Sequence, residues 1–280
     1  MTAFHGQRLL AKGFGSEVYE TPKGLILRKP LTGEARESYA RQCRFLPRLG
    51  SFFHFPVPQP SSFGDFMSYP KLQGEPLEPG VLNELDAAAI AVELANFMAA
   101  LHSIPLVQAV EWGVPSVSRT TLLLAAADRV IPKLPVNLQR DVHRWRDSFR
   151  EPDHQKVVIH GDLWYGNILV DRQTGCLSGV LDFDDTSIGD AAWDLATQLH
   201  LGRSFTALVL EAYPLEKATM LERAEALFAL RPFEQLDWAY RQGNTAEFEE
   251  GLEKLYLAGV LPDTGMTWTT TTPCEGTSAE

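Results

Sequence analysis

The chain of 280 residues has little of what secreted, membrane-spanning or nucleic-acid-binding proteins need. It holds three cysteines, Cys43, Cys176 and Cys274. The number is odd and none stands at metal-ligand spacing, which argues against a disulfide framework or a zinc site and makes a reducing, cytoplasmic setting the expectation. No apolar run is long enough to span a bilayer, and the opening MTAFHGQRLL lacks the apolar core of a signal peptide, so no membrane partner is expected. A formal net charge of -11 leaves no basic surplus for a phosphate backbone, so nucleic acid is not an expected partner either. No internal repeat is present. What remains, 45% hydrophobic and 22% charged, is a globular composition with ample length for a core.

The most informative stretch runs from Val157 to Asp194. Val157-Val158-Ile159 reads as a short buried strand. It leads into a polar loop with His160, Asp162 and Asn167 at the spacing H-x-D-x-x-x-x-N. Ile168-Leu169-Val170 is a second strand, Asp171-Arg172-Gln173-Thr174-Gly175 supplies a turn, and Gly179-Val180-Leu181 leads out to Asp182. If the strands flanking that turn pair antiparallel, Asn167 and Asp182 meet at one end of a hairpin, and Asp162 enters the same end. Two hard oxygen ligands and a further carboxylate are the minimum set that holds Mg2+ on a nucleotide and orients a hydroxyl. The pattern therefore predicts a phosphoryl-transfer site with ATP or GTP as donor, Asp162 as the catalytic carboxylate, and Asn167 and Asp182 as metal ligands.

Near the start, Leu9 to Tyr19 and Leu25 to Lys29 read as strands of an antiparallel sheet. Gly13 and Gly15 would let the backbone approach a phosphate and offer its N–H groups, although Gly-x-Gly more often marks a plain hairpin turn. Arg28 and Lys29 are neighbours on a strand, so only one can point inward. Helical periodicity marks 34–49, 84–102, 120–131 and 136–149, with Asn83 as a candidate cap for the second of these. From Leu208 to Leu257 acidic residues outnumber basic ones, including Glu211, Glu216, Glu222, Glu225, Glu234 and Asp237; this is either a solvated helical surface or an attractive field for a cationic small molecule. The end, TWTTTTPCEGTSAE, has too little apolar content for a core, which predicts a disordered tail over 266–280.

HGDLWYGNILVD followed by GVLDFDDTSIGDAAWDLA resembles the aminoglycoside phosphotransferase family, antibiotic and small-metabolite kinases that share the protein-kinase fold. The resemblance extends from about Leu10 to Leu199; HGDLW is also similar to fructosamine kinases, a sister group. It implies an α+β, bilobal protein-kinase-like fold: a small antiparallel β lobe over 1–70 with a hinge near 66–71, and a larger, mainly helical catalytic and acceptor-binding lobe over 72–265. It implies that Gly13, Gly15 and Ser16, the last near the place of a missing third glycine, cover the nucleotide phosphates. It further implies that Arg28 contacts the nucleotide with Glu37 as its ion-pair partner, that Asp190 ties down the catalytic loop, and that His102 is structural.

The activity so implied is transfer of the γ-phosphoryl of ATP or GTP to a hydroxyl of an aminoglycoside. The alternatives are a macrolide, a metabolite such as choline, homoserine, methylthioribose or fructosamine, or a non-catalytic nucleotide-binding module. A metal-dependent phosphatase would need more histidine or aspartate ligands than a chain whose only histidine after His160 is His200. A protein kinase would need an activation segment, and Asp190 follows Asp182 too soon for one.

Overall fold

A computed structural model describes residues 6–13, 15–151 and 153–261. Strands β1 (Arg8–Lys12), β2 (Ser16–Glu20) and β3 (Leu25–Pro30) form an antiparallel meander. The helix α1 (Gly33–Leu49) starts where the Thr32 hydroxyl accepts the Ala35 N–H at 3.1 Å and buries Tyr39, Gln42, Phe45, Leu46 and Leu49 along one face. After it, β4 (Ser61–Phe63) and β5 (Phe66–Pro70) complete a five-stranded sheet in the order β1-β2-β3-β5-β4. Ile26, Tyr39, Met67 and Tyr69 form a small core between this sheet and α1, with Val18 and Cys43 against it.

The chain leaves β5 through Lys71 and adds β6 (Glu75–Pro76), then the single turn α2 (Pro79–Leu82). The central helix α3 (Ala87–His102) is capped by Asp86, whose Oδ1 accepts the N–H groups of Ala88 (3.0 Å) and Ala89 (3.1 Å). The cap is therefore not Asn83, which ends α2. Ile90, Leu94, Met98 and Leu101, at 3.6-residue spacing, are entirely buried. There follow α4 (Leu106–Trp112), α5 (Arg119–Val130) and α6 (Val136–Ser148), with Pro132 and Pro135 in the break between the last two.

Next come β7 (Lys156–Ile159), β8 (Ile168–Asp171), β9 (Cys176–Val180) and β10 (Ser187–Asp190), and the helices α7 (Ala192–Ala196), α8 (Arg203–Ala212), α9 (Met220–Phe228), α10 (Arg231–Gln242) and α11 (Thr245–Leu257). β8 pairs antiparallel with β9 and with β6, and β7 pairs with β10, so the segment 160–167 lies between two short ribbons. α8 packs on α3, and α9 on α7.

The chain divides into two compact units, one of residues 1–123 with 150–231, the other of 124–149 with 232–280. The second has its own core where Trp145 stacks on Phe233 with centroids 5.5 Å apart, and its own ion pair, from the exposed Arg129 to the buried Asp237 at 2.7 Å. Among the described residues no single helix is long and apolar enough to cross a membrane. The expected tail over 266–280 lies outside the described residues.

Candidate active site

The hairpin of β8 and β9 places Ile168 opposite Val180, and the Leu181 N–H donates to the Asn167 carbonyl at 2.8 Å. Asn167 and Asp182 thus flank one hairpin mouth, as antiparallel pairing requires. The Asn167 amide nitrogen donates to the Asp162 carbonyl (2.9 Å) and to its Oδ2 (3.2 Å), which draws Asp162 to the same mouth and leaves the amide oxygen as the group Asn167 can offer a cation. Asp182 has φ +58, in the left-handed region that few residues other than glycine adopt, so the turn out of β9 holds its carboxylate in a strained backbone.

Asp162 Oδ1 accepts a hydrogen bond from Arg231 Nη2 at 2.8 Å. Burial pushes the Asp162 carboxyl up, but the Arg231 guanidinium, helped by His160 and Arg119, outweighs it and holds it below the usual range. Asp162 is therefore a carboxylate at neutral pH and a weak base. It suits orienting a hydroxyl and taking its proton late, as a loose phosphoryl-transfer transition state requires.

The loop carrying Asp162 is fixed by a buried carboxylate. Asp194 on α7 is wholly buried; it accepts the His160 N–H (2.9 Å) and the Gly161 N–H (2.8 Å), and lies 3.0 Å from His102 Nε2. His102 Nδ1 is in turn 2.7 Å from the Tyr213 hydroxyl. The loop-anchoring role implied for Asp190 thus belongs to Asp194, one helical turn on. Asp190 instead caps the Ala192 N–H (3.0 Å) and pairs with Arg223 at 2.9 Å. His102 is structural, as expected. The His160 ring lies at 2.9 Å from the Leu181 carbonyl through Nε2 and accepts the Asp162 N–H at Nδ1 (3.3 Å), joining the loop to the strand end before Asp182. Gly161 has φ +84, and a Cβ there would collide with the Asp185 carbonyl, so this position admits only glycine.

Arg28 on β3 is 7% exposed and reaches the same mouth: its Nη2 pairs with Asp184 at 2.6 Å and its Nη1 with Asp182 at 3.3 Å. The guanidinium also lies 5.0 Å from the centre of the Tyr39 ring. Lys29 is exposed and hydrogen-bonds Glu17 at 3.4 Å, which leaves Arg28 as the inward cation. The expected partner Glu37 is not brought to it. Glu37 is exposed on α1, because the helical repeat turns Ser38, Tyr39 and Gln42 inward, and Gln42 supplies the contact from that helix through its amide hydrogen bond to Asp184. Burial, reinforced by Asp182, pushes the Asp184 carboxyl up to about 6 against the pull of Arg28. Gly13 and Gly15 flank the β1–β2 turn, where the Gly13 N–H donates to the Ser16 carbonyl (2.9 Å) and Ser16 is buried at the start of β2; Phe14 lies outside the described residues.

Sequence reasoning missed three cations or their partners. Arg231 opens α10. Arg119 opens α5, pairs with Asp185 at 2.6 Å and lies 5.8 Å from the Trp193 ring centre. Gln42 stands with Ser38 as a polar interruption of the apolar helix stripe, and that interruption is the one signal that could have found it. As for a metal, the described residues contain no group of three or more His, Cys, Asp or Glu able to hold one. One carboxylate and one amide oxygen at a hairpin mouth instead suit Mg2+, which keeps water and phosphate oxygens as its other ligands.

Strand-paired carboxylate and amide, a carboxylate beside them, and a buried arginine from an N-terminal sheet define a kinase-type phosphotransferase. The chain belongs to the phosphotransferase enzyme family (APH), whose family model matches residues 6–227. It is 28% identical over 217 residues to viomycin phosphotransferase of Streptomyces vinaceus, covering 71% of this chain and 75% of that one. The fold is that of the GDP and kanamycin complex of APH(2")-IIia, with a TM-score of 0.82, 22% identity, and coverage of 92% of this chain and 94% of that one. The macrolide 2'-phosphotransferase MphH of Brachybacterium faecium matches with a TM-score of 0.68 at 22% identity, covering 89% and 91% of the two chains.

Proposed function

We propose that this chain transfers the γ-phosphoryl of ATP or GTP to a hydroxyl of a small antibiotic, with an aminoglycoside as the acceptor of first choice and a macrolide as the second. The observation that carries the reading is the meeting of Asp162, Asn167 and Asp182 at one hairpin mouth beside Arg28. In this reading Asn167 and Asp182 hold Mg2+, which neutralises phosphate charge. Arg28 exchanges its carboxylate partners for phosphate oxygens, and Asp162 orients the acceptor hydroxyl. The backbone around Gly13, Gly15 and Ser16 covers the phosphates. Residues 1–70 serve nucleotide binding, and 72–265 serve catalysis and acceptor binding. Most of the rate then comes from alignment and charge neutralisation.

The relatives that act on viomycin or bind kanamycin support a cationic acceptor, as does the net charge of -11. The acidic segment supports it less than its composition suggests. Asp237 is spent on Arg129 and Arg241, and Glu225 on Arg203. The test is a coupled assay of nucleoside-diphosphate release over aminoglycosides, viomycin, macrolides, choline and homoserine with both nucleotides, followed by the salt dependence of the acceptor KM. A polycation steered by long-range charge loses affinity as salt shortens the screening length to about 8 Å at physiological ionic strength. A KM indifferent to salt would remove the electrostatic argument and favour a neutral acceptor.

A further inference from the structure

The geometry points to Arg231 as a catalytic cation for the transferring phosphoryl group, a role that rests on the phosphoryl-transfer reading above. Arg231 divides its guanidinium between two tasks. Nη2 holds Asp162 Oδ1 at 2.8 Å, while Nη1 is buried and meets no hydrogen-bond acceptor among the described residues. Buried donors are almost always satisfied, and one left open on a charged fork beside a reactive carboxylate marks the place of an absent acceptor.

The chemistry at that place identifies the acceptor. A hydroxyl giving its proton to Asp162 stands about 2.6–3.2 Å from a carboxylate oxygen. The phosphorus it attacks stands about 3–3.5 Å beyond in the aligned ground state. The phosphoryl oxygens are then anionic atoms brought beside a guanidinium whose first nitrogen already holds Asp162 and whose second has no acceptor among the described residues. The other cations are differently engaged. Arg28 gives both terminal nitrogens to Asp182 and Asp184, leaving only its Nε without an acceptor among the described residues, and Arg119 is paired with Asp185. As the acceptor oxygen forms its bond to phosphorus, the bond from phosphorus to the bridging oxygen breaks. The nucleoside diphosphate leaves with that electron pair, and the hydroxyl proton passes to Asp162. Through this step Arg231 keeps Asp162 oriented with one nitrogen and neutralises phosphoryl oxygens with the other, a cis-acting counterpart of cations supplied elsewhere by partner proteins.

The test compares wild type with Arg231→Met and Arg231→Lys. Steady-state turnover is measured on the acceptor the release screen finds, and binding of Mg2+ with ADP or GDP is measured with and without aluminium fluoride, a mimic of the phosphoryl in flight. Arg231→Met should lower kcat by about 10²-fold or more with the nucleotide KM nearly unchanged. It should also lose the tightening of diphosphate binding that aluminium fluoride gives wild type, while Arg231→Lys recovers part of both. Calorimetric nucleotide affinity and thermal unfolding establish that each variant is folded. If Arg231→Met turns over within threefold of wild type, or keeps the full aluminium fluoride tightening, the inference is overturned. A folded wild type that releases no diphosphate with any acceptor would overturn the phosphotransfer reading itself, a separate outcome.

Discussion

Replacing Asp194 by Asn removes one oxygen and the charge from a group that no solvent reaches. In the native loop Oδ1 takes the Gly161 N–H, and Oδ2 takes the His160 N–H and lies 3.0 Å from His102 Nε2. An amide –NH2 in place of Oδ1 faces the Gly161 donor. In place of Oδ2 it faces the His160 donor, and only a tautomer change toward Tyr213 could satisfy His102. Either way one backbone N–H next to Asp162 is orphaned, at about 1–3 kcal/mol, and the remaining bonds lose the strength a charge lends them. We expect Asp194→Asn to cost about 2–4 kcal/mol and Asp194→Ala about 3–5, as removal of one partner from a buried ionic network does. The pH dependence has a definite sign. Burial pushes the Asp194 carboxyl up, but His102, His160 and the loop amides overcome it and hold it below the usual range. Its stabilisation is therefore complete above about pH 4, where the unfolded carboxyl titrates, and is lost as pH falls through the lower folded value. Urea titrations at pH 7 and along the acid limb measure both effects. A loss below about 0.5 kcal/mol at pH 7 would contradict the anchoring role, since surface substitutions alone stay within that range.

The metal ligands make a graded prediction. Asp182→Ala should abolish binding of the Mg2+–nucleotide complex together with turnover, and Asn167→Ala should weaken it less, because a neutral amide contributes less charge. Calorimetry that finds unchanged affinity in Asp182→Ala would defeat the hairpin assignment. Glu37→Gln, by contrast, should leave nucleotide affinity and kcat within about twofold, because surface substitutions away from a buried partner cost little. A large loss would restore Glu37 as the partner of Arg28.

What the sequence made legible was local. The period of Ile90, Leu94, Met98 and Leu101 gave α3 because one face of that helix is wholly buried. The turn residues between Val170 and Gly179 gave the hairpin that joins Asn167 to Asp182. Alternation on β3 separated Arg28 from Lys29 once a strand was assumed. What it hid depended on tertiary packing. Ser187-Ile188-Gly189-Asp190 is too short and polar to announce a strand, and becomes β10 only because β7 supplies its partner. The Asp190–Asp194 exchange arose because both lie in one short segment, and only the position of His160 and Gly161 tells which carboxylate they meet. Glu37 lies exposed, five residues before the Gln42 that meets Asp184, since the burial of Tyr39 and Gln42 fixes the phase of α1. Arg231 stands 69 residues from Asp162, and no spacing rule joins them.

The central claim is that Asp162 serves chemistry rather than folding or nucleotide binding. It is tested most directly by single-turnover phosphoryl transfer from labelled nucleotide to the screened acceptor, in wild type and in Asp162→Asn. The account predicts that the variant binds Mg2+–nucleotide with nearly unchanged affinity and transfers about 10²-fold more slowly or worse. Transfer at a rate near wild type by a folded Asp162→Asn would contradict it.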